Sequence, residues 1–397
     1  MSRCGTSHSV GEYLKRSREV QESTRSRGLR QVHLRDTSPV QVPIVFLELH
    51  RRDSPILPTS RIDAQLKQLN SDILSGDRFK VPTTGRFGFG AVVGSMGLQF
   101  LNSSTDGSLI RVEDSAVPAE GFDGMDAVLK FLRGLVYSAS PNVARENEEL
   151  LSHLWTFEKR PSPMFVIIAP LAGKTLGQAY LFGNCLVVQP GVVGGTDDNA
   201  TARGYNLGRT VVHEIGHCLG LPHVFSDDCS QLFSDVPPQR KYNTYGQLSL
   251  DGSGAWVASG DNLDRLCTND VELKDTCVLD RASICGESST KLHEQFMNFM
   301  DYSFDEHMVM FSREQVGAAR SYLMSGRFII LGSGGGGVQS MDLEDADNEV
   351  AATIPAAGTP TDRWSATTVV YAVCLAVVIT LCLTFLYMWV RRRRSGK

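Results

Sequence analysis

Within a chain of 397 residues, the run His213-Glu214-Ile215-Gly216-His217-Cys218-Leu219-Gly220-Leu221-Pro222-His223 holds the residue types from which a hydrolytic metal site is built. Four residues of α-helix advance about 400°, so His213 and His217 share one face, a turn apart, and can meet one cation. Glu214 stands roughly 100° around the helix from His213, beside the cation instead of on it, where a carboxylate can take a proton from a metal-activated water. A third ligand at useful geometry cannot come from the same straight helix. Gly220 can adopt the positive φ that ends a helix sharply, and the turn brings His223 back as that ligand. Three neutral imidazoles leave zinc one open position for water, whose pKa falls to about 7. Structural zinc sites are instead usually closed by four ligands and rich in cysteine.

The remaining sequence must position these groups. Residues 44–49, after Pro43, form an apolar run suited to a buried strand. Residues 60–74 show helical spacing at Ile62, Leu66, Leu69 and Leu74 behind a polar cap at Ser60. Residues 97–100, 109–112 and 164–171 read as further strands, 125–137 as a helix, and 312–324 as a C-terminal helix. Residues 179–189 are expected to form the sheet edge above the cleft, where an extended peptide can pair. The glycine-rich stretch 85–97 lacks the lysine and the spacing of a phosphate loop.

The long zinc string resembles that of the metzincin metallopeptidases. Metzincins also carry a methionine turn beneath the metal, and Phe296-Met297-Asn298-Phe299-Met300-Asp301-Tyr302 is similar to one, with Met300 the better match because Asp301 and Tyr302 follow it. Residues 205–212 leading into the string, His223-Val224-Phe225 leaving it, Ser234-Asp235-Val236-Pro237-Pro238, and Met310-Phe311-Ser312-Arg313-Glu314-Gln315 resemble the pappalysin family over about residues 40 to 330. The resemblance implies His213, His217 and His223 as zinc ligands, Glu214 as general base and acid, Met300 as a hydrophobic floor, and Tyr302 as a neutral donor to the oxyanion. It implies an α+β metzincin fold: a twisted mixed sheet with a backing helix and the active-site helix above an irregular C-terminal subdomain. The family usually has cysteine seven residues after the turn methionine. Here that position is His307, read as an exposed loop histidine outside the ligand set.

At the N-terminus, Arg3-Cys4-Gly5-Thr6 resembles the cysteine switch of pappalysin prosegments, in which the Cys4 thiolate takes the fourth zinc position. Release needs a cut in the arginine-rich stretch that follows, so residues 1–37 are expected to be a prosegment and 38–331 the catalytic domain. Residues 332–365, rich in glycine, acids and proline, read as a flexible stalk.

From residue 366 to 390 no side chain is charged, and the basic tail 391–397 follows at once. This predicts one transmembrane helix with a cytoplasmic tail and an extracellular or lumenal catalytic domain. Such an orientation calls for an apolar leader, which residues 1–16 lack, while a tail-anchored arrangement puts the basic cluster on the wrong side. Cys229, Cys267, Cys277 and Cys285 are expected in disulfides, with three pairings open, and Cys185 and Cys218 as buried thiols.

Residues 1–36 hold eight Lys or Arg against four acids, and five bases follow residue 390, so the span between carries net −14 within a total of −5. An acidic ectodomain disfavours nucleic acid as a partner. It is compatible with structural calcium and with protein or peptide substrates bearing Arg or Lys near the cut, both implied by the resemblance. The expected activity is that of a latent, membrane-anchored zinc endopeptidase. The competing readings are a catalytically silent, zinc-containing surface adhesin or receptor, and a zinc hydrolase of non-peptide substrates.

Overall fold

The computed structural model describes residues 2–4, 13–19, 22, 39–74, 89–102, 109–138, 141–194, 204–226, 229, 231–240, 242, 248–250, 256–258 and 295–331. Its centre is a mixed sheet built on β2 (Val40–His50). Ten of its eleven residues are buried, as a strand covered on both faces requires. Parallel to it run β4 (Leu98–Asn102), β5 (Ile110–Glu113) and β6 (Met164–Ile168). The sheet continues from β6 through parallel β8 (Cys185–Val188) to antiparallel β7 (Thr175–Ala179), with β1 (Ser2–Cys4) parallel to β7 at the rim.

Alternation along β2 divides the core in two. Ile44 and Phe46 point to one side, where they meet Ile62, Leu69 and Ile73 of α1 (Thr59–Leu74) together with Val211, Val212 and Ile215 of the helix carrying the histidines. Val45 and Leu47 point to the other, against Met125, Val128, Leu132 and Val136 of α2 (Gly124–Val136). On that second side lie α3 (Val143–Glu146) and α4 (Glu148–Thr156), whose Leu151 and Leu154 join the same core. The histidine helix, α5 (Arg209–Cys218), is buried at all ten positions.

Below it, Phe311 and Ser312 pair antiparallel with Gly94 and Val93 of the short β3 (Val93–Gly94), and α6 (Arg313–Leu323) closes the C-terminal part. Ser312 caps α6 reciprocally with Gln315, so two helix-end donors are satisfied at once.

Two expectations are corrected. The sheet edge is not 179–189. The all-buried Cys185–Val188 is an inner strand between β6 and β7, because a continuous apolar run needs cover on both sides, while β7, with its half-buried Gln178, lies outward of it. The transmembrane helix is likewise withdrawn from the fold class: among the described residues no helix is long and apolar enough to cross a membrane. Residues 366–390, with the expected stalk and basic tail, lie outside the described residues.

Candidate metal centre

α5 starts and stops sharply. Gly208, at φ 84°, precedes it, and its carbonyl accepts from the Gln65 side chain of α1 at 2.9 Å. Arg209 is buried and reaches Asp72 of α1 at 3.2 Å, while the backbone N–H groups of Leu207 and Arg209 donate to one carboxylate oxygen of Asp305 at 2.8 and 3.2 Å. At the other end, Gly220 N–H donates to His217 O and Leu221 N–H to Gly216 O, both at 2.8 Å. With Gly220 at φ +84°, these two bonds are the pair that ends a helix through a left-handed residue. The Phe182 ring lies against Gly220 so closely that any side chain there would overlap it.

This ending orients the second histidine. His217 Nδ1 lies 2.8 Å from Leu221 O, in the turn itself, and His213 Nδ1 lies 2.6 Å from Phe299 O. A carbonyl only accepts, so each Nδ1 carries the proton and each Nε2 keeps its lone pair as a donor toward a metal. His223 returns after the turn, with its Nε2 3.1 Å from that of His217. The ligand atoms of His213, His217 and His223 lie within 4.8 Å of one another. Nitrogen atoms at about 2.0–2.1 Å around a tetrahedral zinc stand about 3.3 Å apart, so this donor set suits the ion. Among the described residues no second group of three or more His, Cys, Asp or Glu gathers, so the calcium expectation finds no ligand set there.

Glu214 is fully buried and faces β7, where a Cβ on Gly177 would lie 2.8 Å from its Oε1. The carboxylate is thereby placed against the strand beside the cleft. A lone glycine in a short strand is the sequence signal for such a close approach, and Gly177 was not singled out from sequence.

Met300 is also fully buried, its sulfur against Gly216, and the third histidine is tied to this turn through Val224 N–H donating to Met300 O at 3.3 Å. The turn is held by Asn298 Oδ1, which accepts from Met300 N–H at 2.9 Å, and by Asp301, which accepts from Tyr302 N–H at 2.7 Å and from Gln239 at 2.9 Å. The Tyr302 ring, 5 % exposed, lies 5.0 Å from the His223 ring and 5.6 Å from that of His213. Phe225 stacks on His223 at 4.6 Å and 9°.

His307 stands outside this cluster, as a residue that is 8 % exposed and therefore not the exposed loop histidine expected. Its Nε2 is 3.1 Å from Glu306, and burial pulls its pKa down against that carboxylate. Cys185 and Cys218 are buried free thiols, burial pushing the Cys185 pKa up to about 12. Cys229 is disulfide-bonded, and Cys267, Cys277 and Cys285 lie outside the described residues. Only the backbone placement of Cys4 is described: it stands opposite Gly177 in the β1–β7 pairing, next to the strand that abuts Glu214.

No family model matches the chain. It is similar to an extracellular metalloprotease of Arthroderma otae, 33 % identical over 135 residues, which are 33 % of this chain and 35 % of that protein. Extracellular metalloprotease 1 of Coccidioides posadasii is 30 % identical over 139 residues, 34 % of this chain and 36 % of that one. The chain thus spans about a third of the length of the curated relatives it matches. Among solved structures, a variant of Tannerella forsythia promirolysin superposes with a TM-score of 0.54 at 18 % identity, covering 82 % of this chain and 95 % of that one, a likeness of fold. These relatives also correct the expected single-pass membrane location, since they are named for an extracellular one and no membrane-crossing helix occurs among the described residues. The likeness to extracellular metalloproteases thus extends over about a third of the chain, and the likeness to promirolysin is one of fold.

Proposed function

We propose that the chain is a zinc-dependent endopeptidase, with His213, His217 and His223 holding the ion. The observation that carries this reading is the convergence of three imidazoles, two of them oriented by backbone carbonyls, beside a buried carboxylate that abuts the sheet rim. A zinc ion there supplies the positive charge that polarises a peptide carbonyl and makes water acidic enough to react near neutral pH. Glu214 accepts the proton of the attacking water and returns it to the leaving amine. Tyr302 donates its phenolic O–H to the oxygen that gains negative charge. An extended substrate pairs with β7, which holds the scissile bond between Glu214 and the histidines.

In the reading proposed here, residues 1–37 keep the enzyme latent and 38–331 form the catalytic domain. Its support is that β1 already lies along β7, where a substrate strand would pair, with Cys4 level with Gly177. Farther along, Tyr13 is buried with its ring 5.7 Å from that of Phe182, and Arg16 reaches Leu181 O at 3.5 Å. Cys4 would then supply the thiolate that holds the ion in the latent form.

The test is Glu214→Gln with metal content and peptide hydrolysis measured on the same sample. Zinc is retained at one equivalent while hydrolysis falls by about three orders of magnitude or more. Undiminished hydrolysis removes the mechanism, and a wild-type protein that binds zinc but cuts no peptide is the silent surface protein instead.

A further inference from the structure

Among the described residues five large apolar or aromatic side chains stand exposed: Leu14, Ile56, Tyr137, Val143 and Tyr242. Of these, Tyr242 is the one whose ring contacts the cluster around the histidines. It lies 4.9 Å from Tyr302 and 5.6 Å from Phe225, while 51 % of the residue remains open to solvent. Phe225 in turn lies 5.0 Å from Tyr302 and stacks on His223, so a continuous aromatic wall runs from a proposed metal ligand to an exposed ring.

A shallow open groove adjoins the same wall, bounded by His223, Phe225, Leu232, Phe233 and Val236, with no Asp, Glu, Lys or Arg among its described lining residues. Of its polar side chains, exposed Gln231 is engaged with the chain itself, its amide donating to the carbonyls of Phe233, Ser234 and Val236 at 3.0, 3.3 and 2.9 Å. Against this described lining an apolar side chain gains burial and covers the exposed ring.

We infer that this wall selects the substrate: peptides with a bulky aliphatic or aromatic residue on the His223 side of the scissile bond, stacked on Tyr242 and Phe225. The inference rests on the peptidase reading above and departs from the Arg or Lys preference that the family resemblance implies.

The experiment digests an unbiased peptide mixture with the zinc-loaded full chain, sequences the products by mass spectrometry, then compares kcat/KM for matched peptides carrying Leu, Phe, Ala or Arg at the preferred position. Leu and Phe are expected to be enriched at one position next to the cut. Tyr242→Ala lowers the Phe-to-Ala ratio of kcat/KM about tenfold, and Tyr242→Phe keeps the ratio because the ring face is retained. Enrichment of Arg or Lys, the absence of any preference, or an equal loss on all four peptides in Tyr242→Ala overturns the inference while leaving the peptidase intact. If the wild-type chain cuts no peptide, the peptidase reading falls and the inference with it.

Discussion

Gly216 lies so close to Met300 that one added carbon at the glycine would overlap the thioether sulfur. The Met300 side chain therefore lies directly on the helix backbone, with no side chain from the helix between them. Gly216→Ala gains about 1 kcal/mol of helix propensity yet overpacks a site where Met300 has no exposed room to yield, which costs about 1–3 kcal/mol. A net loss of stability is expected in urea denaturation. The sign should reverse in a Met300→Ala background, where the added carbon fills space, so a double-mutant cycle must show coupling.

Tyr302→Phe isolates the phenolic hydroxyl. The ring keeps its contacts with His213, His223 and Phe225, so the fold and the zinc content should be unchanged. If the hydroxyl meets the developing oxyanion, kcat falls about 10- to 100-fold with KM little altered. A matched rise in KM at constant kcat would assign the residue to substrate binding instead.

The ion pair between Arg209 and Asp72 is the buried link between α5 and α1, with side chains 8 % and 2 % exposed. Removing the acid leaves a guanidinium in the interior, so Asp72→Ala should destabilise by about 3–5 kcal/mol in chemical denaturation. Asp72→Asn keeps a hydrogen-bond acceptor and should cost less. Equal losses for the two variants would show that shape, not charge, matters there.

His153 on α4 gives the protein an acid-sensitive group remote from the histidine cluster. Burial, and then the positive charge of Arg160, lower its pKa from 6.5 to about 4. The fold thus favours the neutral ring, so its contribution is complete above pH 6.5 and is lost as the pH falls from 6.5 toward 4. His153→Gln should flatten this part of the stability profile, measured as the difference in urea midpoint between pH 7.5 and pH 5. A variant with the same acid slope as wild type would place the sensitivity elsewhere.

Much of this arrangement was legible in the residues because it rests on local chemistry. Ser60 to Leu74 carried a helical period and folded as Thr59–Leu74, and the Ser312 cap stands one residue before α6. The histidine string showed its helix and its stop because Gly220 has few other uses at that spacing. What stayed hidden depends on contacts distant in sequence. Gln178 and Cys185 belong to neighbouring strands, but which of them lies nearer the rim follows from pairing with β6 and not from local pattern. The surroundings of His307 include the charge of Arg209, more than ninety residues away in sequence, which local pattern does not show. The short α3 and α4 carry few periodic positions and were not anticipated.

Two of the three rings are held by main-chain oxygens, those of Phe299 and Leu221, so their support follows the path of the chain and, at Leu221, the turn at Gly220. A site fastened in this way depends on the residues that fasten it only through the backbone path they allow. Any attempt to retune the affinity for the cation must therefore bend the backbone instead of swapping its neighbours.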